Sequence, residues 1–469
     1  MAAGALTSEP AVGSAGPFPP AIRTDPNPGW MRMALHAVYD LTWLLAIVLA
    51  SPWWLWRCAR DGEFRRMAVG RLTIGLPAPV GGGGLERILI HGVSVGEVKA
   101  AQPLVSLIER ECPHLEVVIS TTTLTGHTVA LQLYADHTIV RFPIDPSFLV
   151  RRFLNRIAPV CVVLVELEIW PNFLRTANRL GIPVAVANGR ITGESHRRYF
   201  AFRRLLPQFN RISLYCVQDE RYARRFLELS RNERRLVVTG NVKADALHVG
   251  RAEASAELLG LLGGAHGQPV FVCGSTHEPE ESLLLDAWRT SVPETRLILV
   301  PRHPGRARVV AEAFAALGLA PQRLTALRDG RERPDPTRPV IVDTIGDLEG
   351  IYSLADLVFV GGSLVPHGGQ NMLEPAAGGR ATLYGPHVDN FRQEAELLES
   401  AGASVRLAGP EELGAVLREL MDDGARRERM SRAGMAAVAT QTGASLRTLD
   451  ALRQRGLISV ATSTAASRS

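Results

Sequence analysis

The chain has 469 residues, is 46% hydrophobic and 21% charged, and carries a formal net charge of +5. That length exceeds what one hydrophobic core usually organises, so two domains plus extra segments are expected, and the hydrophobic content excludes a largely disordered chain. The mild basic excess suits an anionic membrane surface or phosphorylated substrates, whereas scattered arginines with no zinc-ligand pattern or basic aromatic block argue against nucleic-acid binding.

Residues 1–29, rich in Ala, Gly, Pro and Ser, read as a disordered N-terminus. Residues 30–60 read as a membrane anchor. The run from Ala37 to Trp56 (AVYDLTWLLAIVLASPWWLW) is about long enough to span a bilayer, although Asp40 and Pro52 interrupt it. Trp53, Trp54 and Trp56 form an interfacial belt, and Arg57, Arg60, Arg65 and Arg66 follow. Positive flanks stay inside, which places everything after residue 57 in the cytoplasm. A cleaved signal peptide is disfavoured, because the apolar run starts late and no small-residue cleavage site precedes the basic cluster. The alternative is a buried N-terminal helix pair.

Gly81–Gly84 reads as a loop before the first strand of an N-terminal domain, residues 61–245. There the β-rich runs ILIHGVS, LEVVIST, HTIVRF, VCVVLVELE, PVAVANGR and SLYCVQD alternate with helix-length amphipathic segments. In VKAAQPLVSLIER, Val98, Ala101, Val105 and Ile108 share one helical face. The rhythm pauses near residues 243–268. It resumes in a C-terminal domain, residues 246–454, with VFVCGST, RLILVPR, VIVDTIG, LVFVGGS and ATLYG. Apolar strands alternating with helices imply α/β architecture with parallel sheets covered on both faces. Two successive doubly wound units predict two Rossmann-like domains facing a cleft. Residues 455–469 read as a flexible tail. The five cysteines, Cys58, Cys112, Cys161, Cys216 and Cys273, are far apart and form no CxxC pair, as expected for reduced thiols on the cytoplasmic side.

Several strand ends carry groups capable of chemistry. In His91-Gly92-Val93-Ser94-Val95-Gly96-Glu97, small residues and helix-start amides surround a carboxylate. Taken alone, Glu97 serves equally well as a first-turn residue favoured by the helix dipole. Thr121-Thr122-Thr123-Leu124-Thr125-Gly126 suits a sugar or phosphate as well as it suits an N-cap turn. Glu166 and Glu168 follow a strand that should be buried. Alternation puts them on one side, where isolated carboxylates need partners or a site. Asn188-Gly189-Arg190 ends the next strand. In the second half, Gly274-Ser275-Thr276-His277 and Pro301-Arg302-His303-Pro304 offer anion-binding groups, and Arg302 could fork onto a phosphate. His303 has no partner at metal-ligand spacing and reads as a structural hydrogen bonder. Gly361-Gly362-Ser363-Leu364, then Gly368-Gly369-Gln370-Asn371-Met372-Leu373-Glu374-Pro375, reads as a phosphate loop of backbone amides leading into a short helix near Asn371, with Glu374 placed for ribose hydroxyls.

Together these segments resemble the 3-deoxy-D-manno-octulosonic acid (Kdo) transferases of lipopolysaccharide assembly. The carrying stretches include HGVSVGEVKAAQPL, STTTLTGH, FPIDPSFLVRRFL, PVCVVLVELEIWPN, NGRIT, GNVKAD, GSTHEPEE, LVPRHPGR, DTIGDLEGIYSLADLVFVGGSLVPHGGQNMLEPAA and GPHVDNF, in order over roughly residues 60–440. The resemblance implies a GT-B fold and inverting transfer of Kdo from CMP-Kdo to the tetraacyldisaccharide lipid A precursor, lipid IVA. It also implies an enzyme on the cytoplasmic face of the inner membrane with no cofactor and no metal ion. By the same resemblance, Glu97 matches the general base, and Arg302, Gly362, Ser363, Asn371 and Glu374 match the nucleotide-sugar pocket. Ser275, Thr276 and Lys243 match further motif positions. Gly189, Gln370 and Ile169 stand where the family pattern has Ala, His and Leu. Two rivals differ in kind: a GT-B transferase using a UDP-sugar on a lipid-linked acceptor, and a membrane-anchored two-lobed solute-binding protein. The ELEIWPN and SVGE segments argue against the first. The lack of a lipobox-like cysteine after the apolar run, and a positive flank that holds the domains inside, argue against the second.

Overall fold

Seven runs of the first half form one parallel sheet: β1 (Glu86–Gly92), β2 (Leu115–Thr121), β3 (Thr138–Arg141), β4 (Pro159–Val165), β5 (Val184–Gly189), β6 (Leu214–Val217) and β7 (Leu236–Val238). Their order is β3-β2-β1-β4-β5-β6-β7. The register runs from Glu86 opposite Leu115 to Gly92 opposite Thr121. Central strands such as β4 are buried along nearly their whole length, as a sheet covered on both faces requires. The computed structural model describes residues 29–77, 85–203, 208–251, 253–265 and 267–459. The expected disorder before residue 29, the Gly81–Gly84 loop and the end of the expected tail lie outside the described residues.

A second parallel sheet contains β8 (Val270–Thr276), β9 (Arg296–Pro301), β10 (Gln322–Arg323), β11 (Val340–Ile341), β12 (Leu357–Val360), β13 (Ala381–Tyr384) and β14 (Ser404–Arg406). Its order is β10-β11-β9-β8-β12-β13-β14. The strand order reverses between β1 and β4 in one sheet and between β8 and β12 in the other. At such switch points, helices leave toward opposite faces and open sheets receive ligands at their carboxyl ends.

The chain divides into two compact units, residues 1–246 with 443–469, and residues 247–442. This corrects the expected assignment of 443–454 to the C-terminal domain. The helix Ala444–Gln454 packs into the first unit's core through Ala444, Leu449 and Leu452. Its N-terminus is held there by Asp245, which accepts backbone N–H bonds from Gly443, Ala444 and Ser445. The start of the expected tail is also ordered, since Leu457 and Ile458 are buried in the same core. Val98, Ala101, Val105 and Ile108 are all buried there as the helical spacing requires, on two helices, Val95–Ala100 and Gln102–Glu111, separated at Ala101.

The N-terminal segment forms a long helix, α1 (Gly29–Arg60), and a short one, α2 (Gly62–Arg71). Residues 33–60 of α1 are long and apolar enough to cross a membrane. The two helices do pair, but the expected alternative of a buried pair does not form, because Leu41, Leu45, Val48 and Leu49 of α1 are exposed.

Candidate active site

In the first unit, β1 passes through Val93 and Ser94 into the helix Val95–Ala100, whose first turn carries Glu97. One carboxylate oxygen of Glu97 accepts the Val93 backbone N–H at 2.7 Å, and the other accepts the Ser94 hydroxyl at 2.9 Å. The helix N-terminus favours a charge there, yet burial raises the Glu97 pKa, with nearby Glu166 adding to the effect and the two hydrogen bonds opposing it. The loop is closely packed from outside. A side chain at Gly126 would come within 3.0 Å of the Val93 carbonyl. Thr123 caps the helix Leu124–Leu133, accepting the Gly126 N–H and donating its hydroxyl to the Val93 carbonyl. The capping role of the threonine run is thus present, and it braces the Glu97 turn.

Across the switch point, β4 ends at Val165, and Glu166 takes a left-handed φ of 63°. That conformation ends the strand, so the expected alternation does not govern Glu166 and Glu168. A non-glycine residue held there marks strain that the surroundings must support. The support is ionic: Glu166 accepts Arg190 Nε at 2.9 Å and Lys243 Nζ at 3.1 Å. Asn188, also left-handed at 56°, is buried and accepts the Val242 backbone N–H, which positions the short helix bearing Lys243. Glu168 accepts the Trp170 indole N–H at 3.0 Å. Burial, then the charges of Glu97 and Glu166, push its pKa up to about 7. The first unit therefore holds three carboxylates in mutual electrostatic reach, one neutralised by two cations and two displaced toward neutrality.

In the second unit, β8 ends in Ser275, at a φ of 56°, and Thr276. β12 leads into Gly361-Gly362-Ser363-Leu364. The amides of that loop face a buried carboxylate. Glu280 accepts the backbone N–H groups of Gly362, Ser363 and Leu364 at 2.7–2.8 Å, and that of His277 at 2.9 Å. Beyond the loop, Asn371 donates its amide to Glu374 at 3.0 Å and accepts the Leu373 N–H. Glu374 lies in the first turn of a helix, Leu373–Ala377. Arg302 and His303 are exposed after β9. The rings of His277 and His367 stack with centroids 4.5 Å apart, and His303 lies 6.3 Å from His277. Burial and then the charges of His367, His303, Arg302 and Arg306 lower the His277 pKa. Cations and imidazoles are thus gathered at strand ends, where an open sheet offers a place to a ligand. Among the described residues, no three His, Cys, Asp or Glu side chains are grouped to hold a metal ion.

Residues 65–246 match the family model described as 3-Deoxy-D-manno-octulosonic-acid transferase (kdotransferase). The chain is 34% identical over 448 residues to a 3-deoxy-D-manno-octulosonic acid transferase of Bordetella pertussis, covering 90% of this chain and 98% of that one. The chain belongs to the Kdo transferase family. A Haemophilus influenzae member is 32% identical over 381 residues, covering 78% of this chain and 87% of the relative. The fold has wider company. A putative UDP-N-acetylglucosamine 2-epimerase from Listeria monocytogenes superposes with a TM-score of 0.56 at 14% identity, over 79% of this chain and 96% of that one. MurG of Acinetobacter baumannii does so with a TM-score of 0.50 at 13% identity, over 78% and 99%. The architecture is α/β of GT-B type, and the protein is a glycosyltransferase.

Within this Kdo transferase, the expected site residues separate into two groups. Glu97 and Lys243 lie in the first unit, and Lys243 is engaged with Glu166. Ser275, Thr276, Arg302, Gly362, Ser363, Asn371 and Glu374 lie in the second. The amides at 362–364 are not open as a phosphate cradle, because Glu280 already fills them. The Ser363 hydroxyl donates to the Val360 carbonyl and accepts the Gly385 N–H. Thr276 is buried, with its hydroxyl toward Glu281. These residues shape the loop, whereas Ser275, Arg302, Asn371 and Glu374 are at least partly exposed. Glu280 was missed in the sequence, where a glutamate at a helix start looks like an ordinary N-terminal acid; its second role depends on a loop more than eighty residues away.

Proposed function

We propose that this transferase moves Kdo from CMP-Kdo to lipid IVA, with inversion at the anomeric carbon, at the cytoplasmic face of the inner membrane. The observation that carries this reading is the Glu97 carboxylate at the first unit's switch point, fixed by Val93 and Ser94 and displaced upward by burial. An acceptor hydroxyl is a poor nucleophile until its proton is removed as the new bond forms. A half-buried carboxylate with a raised pKa is suited to take that proton. Lys243 and Arg190 neutralise Glu166, which limits the negative charge that an acceptor phosphate would meet. In the second unit, Arg302 and the nearby imidazoles suit the donor's anionic groups, with Asn371 and Glu374 at its hydroxyls. CMP leaves as a stable phosphate monoester, and Arg302 offsets the charge that develops on it.

The test is transfer from CMP-Kdo to lipid IVA by the membrane fraction, with the product weighed. Glu97→Gln keeps the size and hydrogen bonding of the side chain but cannot take the proton. It should lower turnover by about 10²–10⁴-fold while CMP binding stays near normal. Arg302→Ala should instead weaken CMP by roughly 10- to 150-fold. Wild-type turnover in Glu97→Gln, with chemistry shown to be rate-limiting, would remove Glu97 from this role.

A further inference from the structure

The apolar helix α1 is tied to the first unit at its beginning and, through α2, after its end. Near the start, Tyr39 donates its hydroxyl to Asp145 at 3.0 Å. Asp40 accepts the Ser147 backbone N–H and hydroxyl at 2.9 and 2.7 Å and the Asn172 amide at 2.8 Å. At the far side, Arg71 donates its Nε to the Phe142 carbonyl at 3.3 Å, and its own carbonyl accepts the Ile144 N–H at 3.2 Å. Both ties therefore end on one short stretch, residues 142–147. Its ends are five residue steps apart, so they can lie no more than about 18 Å apart even if fully extended.

A hydrocarbon core is about 30 Å thick, and residues 41–60 rise about 30 Å as a helix. If α1 crossed a bilayer, Asp40 and Asp61 would sit on opposite sides. Residues 61–71 would then have to return through the hydrocarbon to reach Phe142. They form a helix only about 15 Å long that carries Glu63, Arg65 and Arg66. The two ties and a crossing are incompatible.

The helix surface agrees. Leu41, Leu45, Val48, Leu49, Leu55 and Trp56 are 53–72% exposed and follow the three- and four-residue spacing of a single stripe. Trp43, Ile47, Ala50 and Trp54 form the partly covered opposite stripe. At the C-terminal end, Arg57 lies 5.3 Å from the Trp53 ring centre and Arg60 4.6 Å from that of Trp56. Arg65 and Arg66 are exposed on α2. Aromatic rings beside guanidinium groups at the edge of an apolar stripe match the boundary between acyl chains and anionic headgroups.

We propose that α1 lies flat in one leaflet of an anionic lipid bilayer, with this stripe in the acyl region, and does not cross the membrane. The proposal rests on the membrane association in the function proposed above. The test uses the full-length chain with Cys58→Ser, since the other four cysteines are buried. Single cysteines are placed at two exposed positions on either side of residues 41–60, Met33→Cys and Arg65→Cys. Each variant is treated with a membrane-impermeant maleimide in spheroplasts and in inverted membrane vesicles. Both positions should label in the same preparation and stay at background in the other. Label at the two positions in opposite preparations would overturn the proposal while leaving the enzymatic reading intact. Recovery of the unmodified chain as a soluble monomer or dimer would overturn it too, and with it the membrane association. As a second measurement, Leu45→Asp with Leu49→Asp should release the protein from anionic phosphatidylglycerol vesicles on sedimentation. Unchanged sedimentation would mean that this stripe is not in lipid.

Discussion

Glu97, Glu166 and Glu168 act on one another through charge, and Lys243 and Arg190 temper that effect. Glu97 must be ionised to accept a proton, so turnover should fall as pH drops through its pKa. Because burial raises that pKa, the acid limb should lie above the ordinary carboxylate range. Glu166→Gln removes the negative neighbour that raises the Glu97 pKa, makes ionisation of Glu97 easier and should move the limb to lower pH. Lys243→Ala leaves the Glu166 charge less neutralised and should move it to higher pH. Pre-steady-state turnover across pH in the two variants checks both signs; limbs that stay in place would separate Glu97 from these neighbours. The spacing of HGVSVGE and ELEIWPN made the carboxylates visible as candidates. Their coupling was not visible, because it depends on a left-handed turn at Glu166 that ends β4 early, and on Asn188 placing Lys243 beside it.

At the scale of elements, the GGSL loop shows how a sequence motif can suggest the wrong partner. Glycines and a helix start read as an anion site, and an anion is there, but it is the chain's own Glu280. Removing it leaves buried N–H donors without an acceptor, each costing about 1–3 kcal/mol. Glu280→Ala should therefore lower thermal stability by several kcal/mol and weaken CMP binding, whereas Glu280→Gln, which keeps one acceptor oxygen, should cost less. Scanning calorimetry with a CMP titration measures both; an unchanged melting temperature in Glu280→Ala would mean that the loop does not need this carboxylate. The longer strands, β1, β2, β4, β5, β8 and β9, were legible because continuous apolar runs leave few alternatives. The short strands β7, β10 and β14 were missed. Two or three residues carry no periodicity, and their pairing is decided by neighbours distant in sequence.

At the scale of the whole molecule, the two-unit organisation followed from two series of strands, but the end of the second unit did not. The helix Ala444–Gln454 has the composition of either unit and belongs to the first because its apolar residues complete that core. Ala444, Leu449, Leu452, Leu457 and Ile458 are all buried there. Burying a large apolar side chain stabilises by about 1.5–3 kcal/mol, so their combined loss is comparable to the whole stability of a typical domain. A chain ending at residue 442 should fail to give a folded first unit, seen as loss of cooperative melting or as insolubility. A truncated chain that melts like the full-length protein would show this helix to be dispensable.

Unit one is therefore interrupted, and the interruption sets an order of events during synthesis. Roughly 200 residues intervene between Ala246 and Gly443, which corresponds to about 10–40 s of ribosomal elongation. Throughout that interval the surface that will receive Leu449 and Leu452 has no partner from its own chain, although β1 to β7 are already made. The last helix belongs to the first unit, so the second unit can close first. The nascent chain should thus mature out of order: second unit first, first unit last, with an apolar groove open in between. That groove is a natural holding point for a chaperone during those seconds.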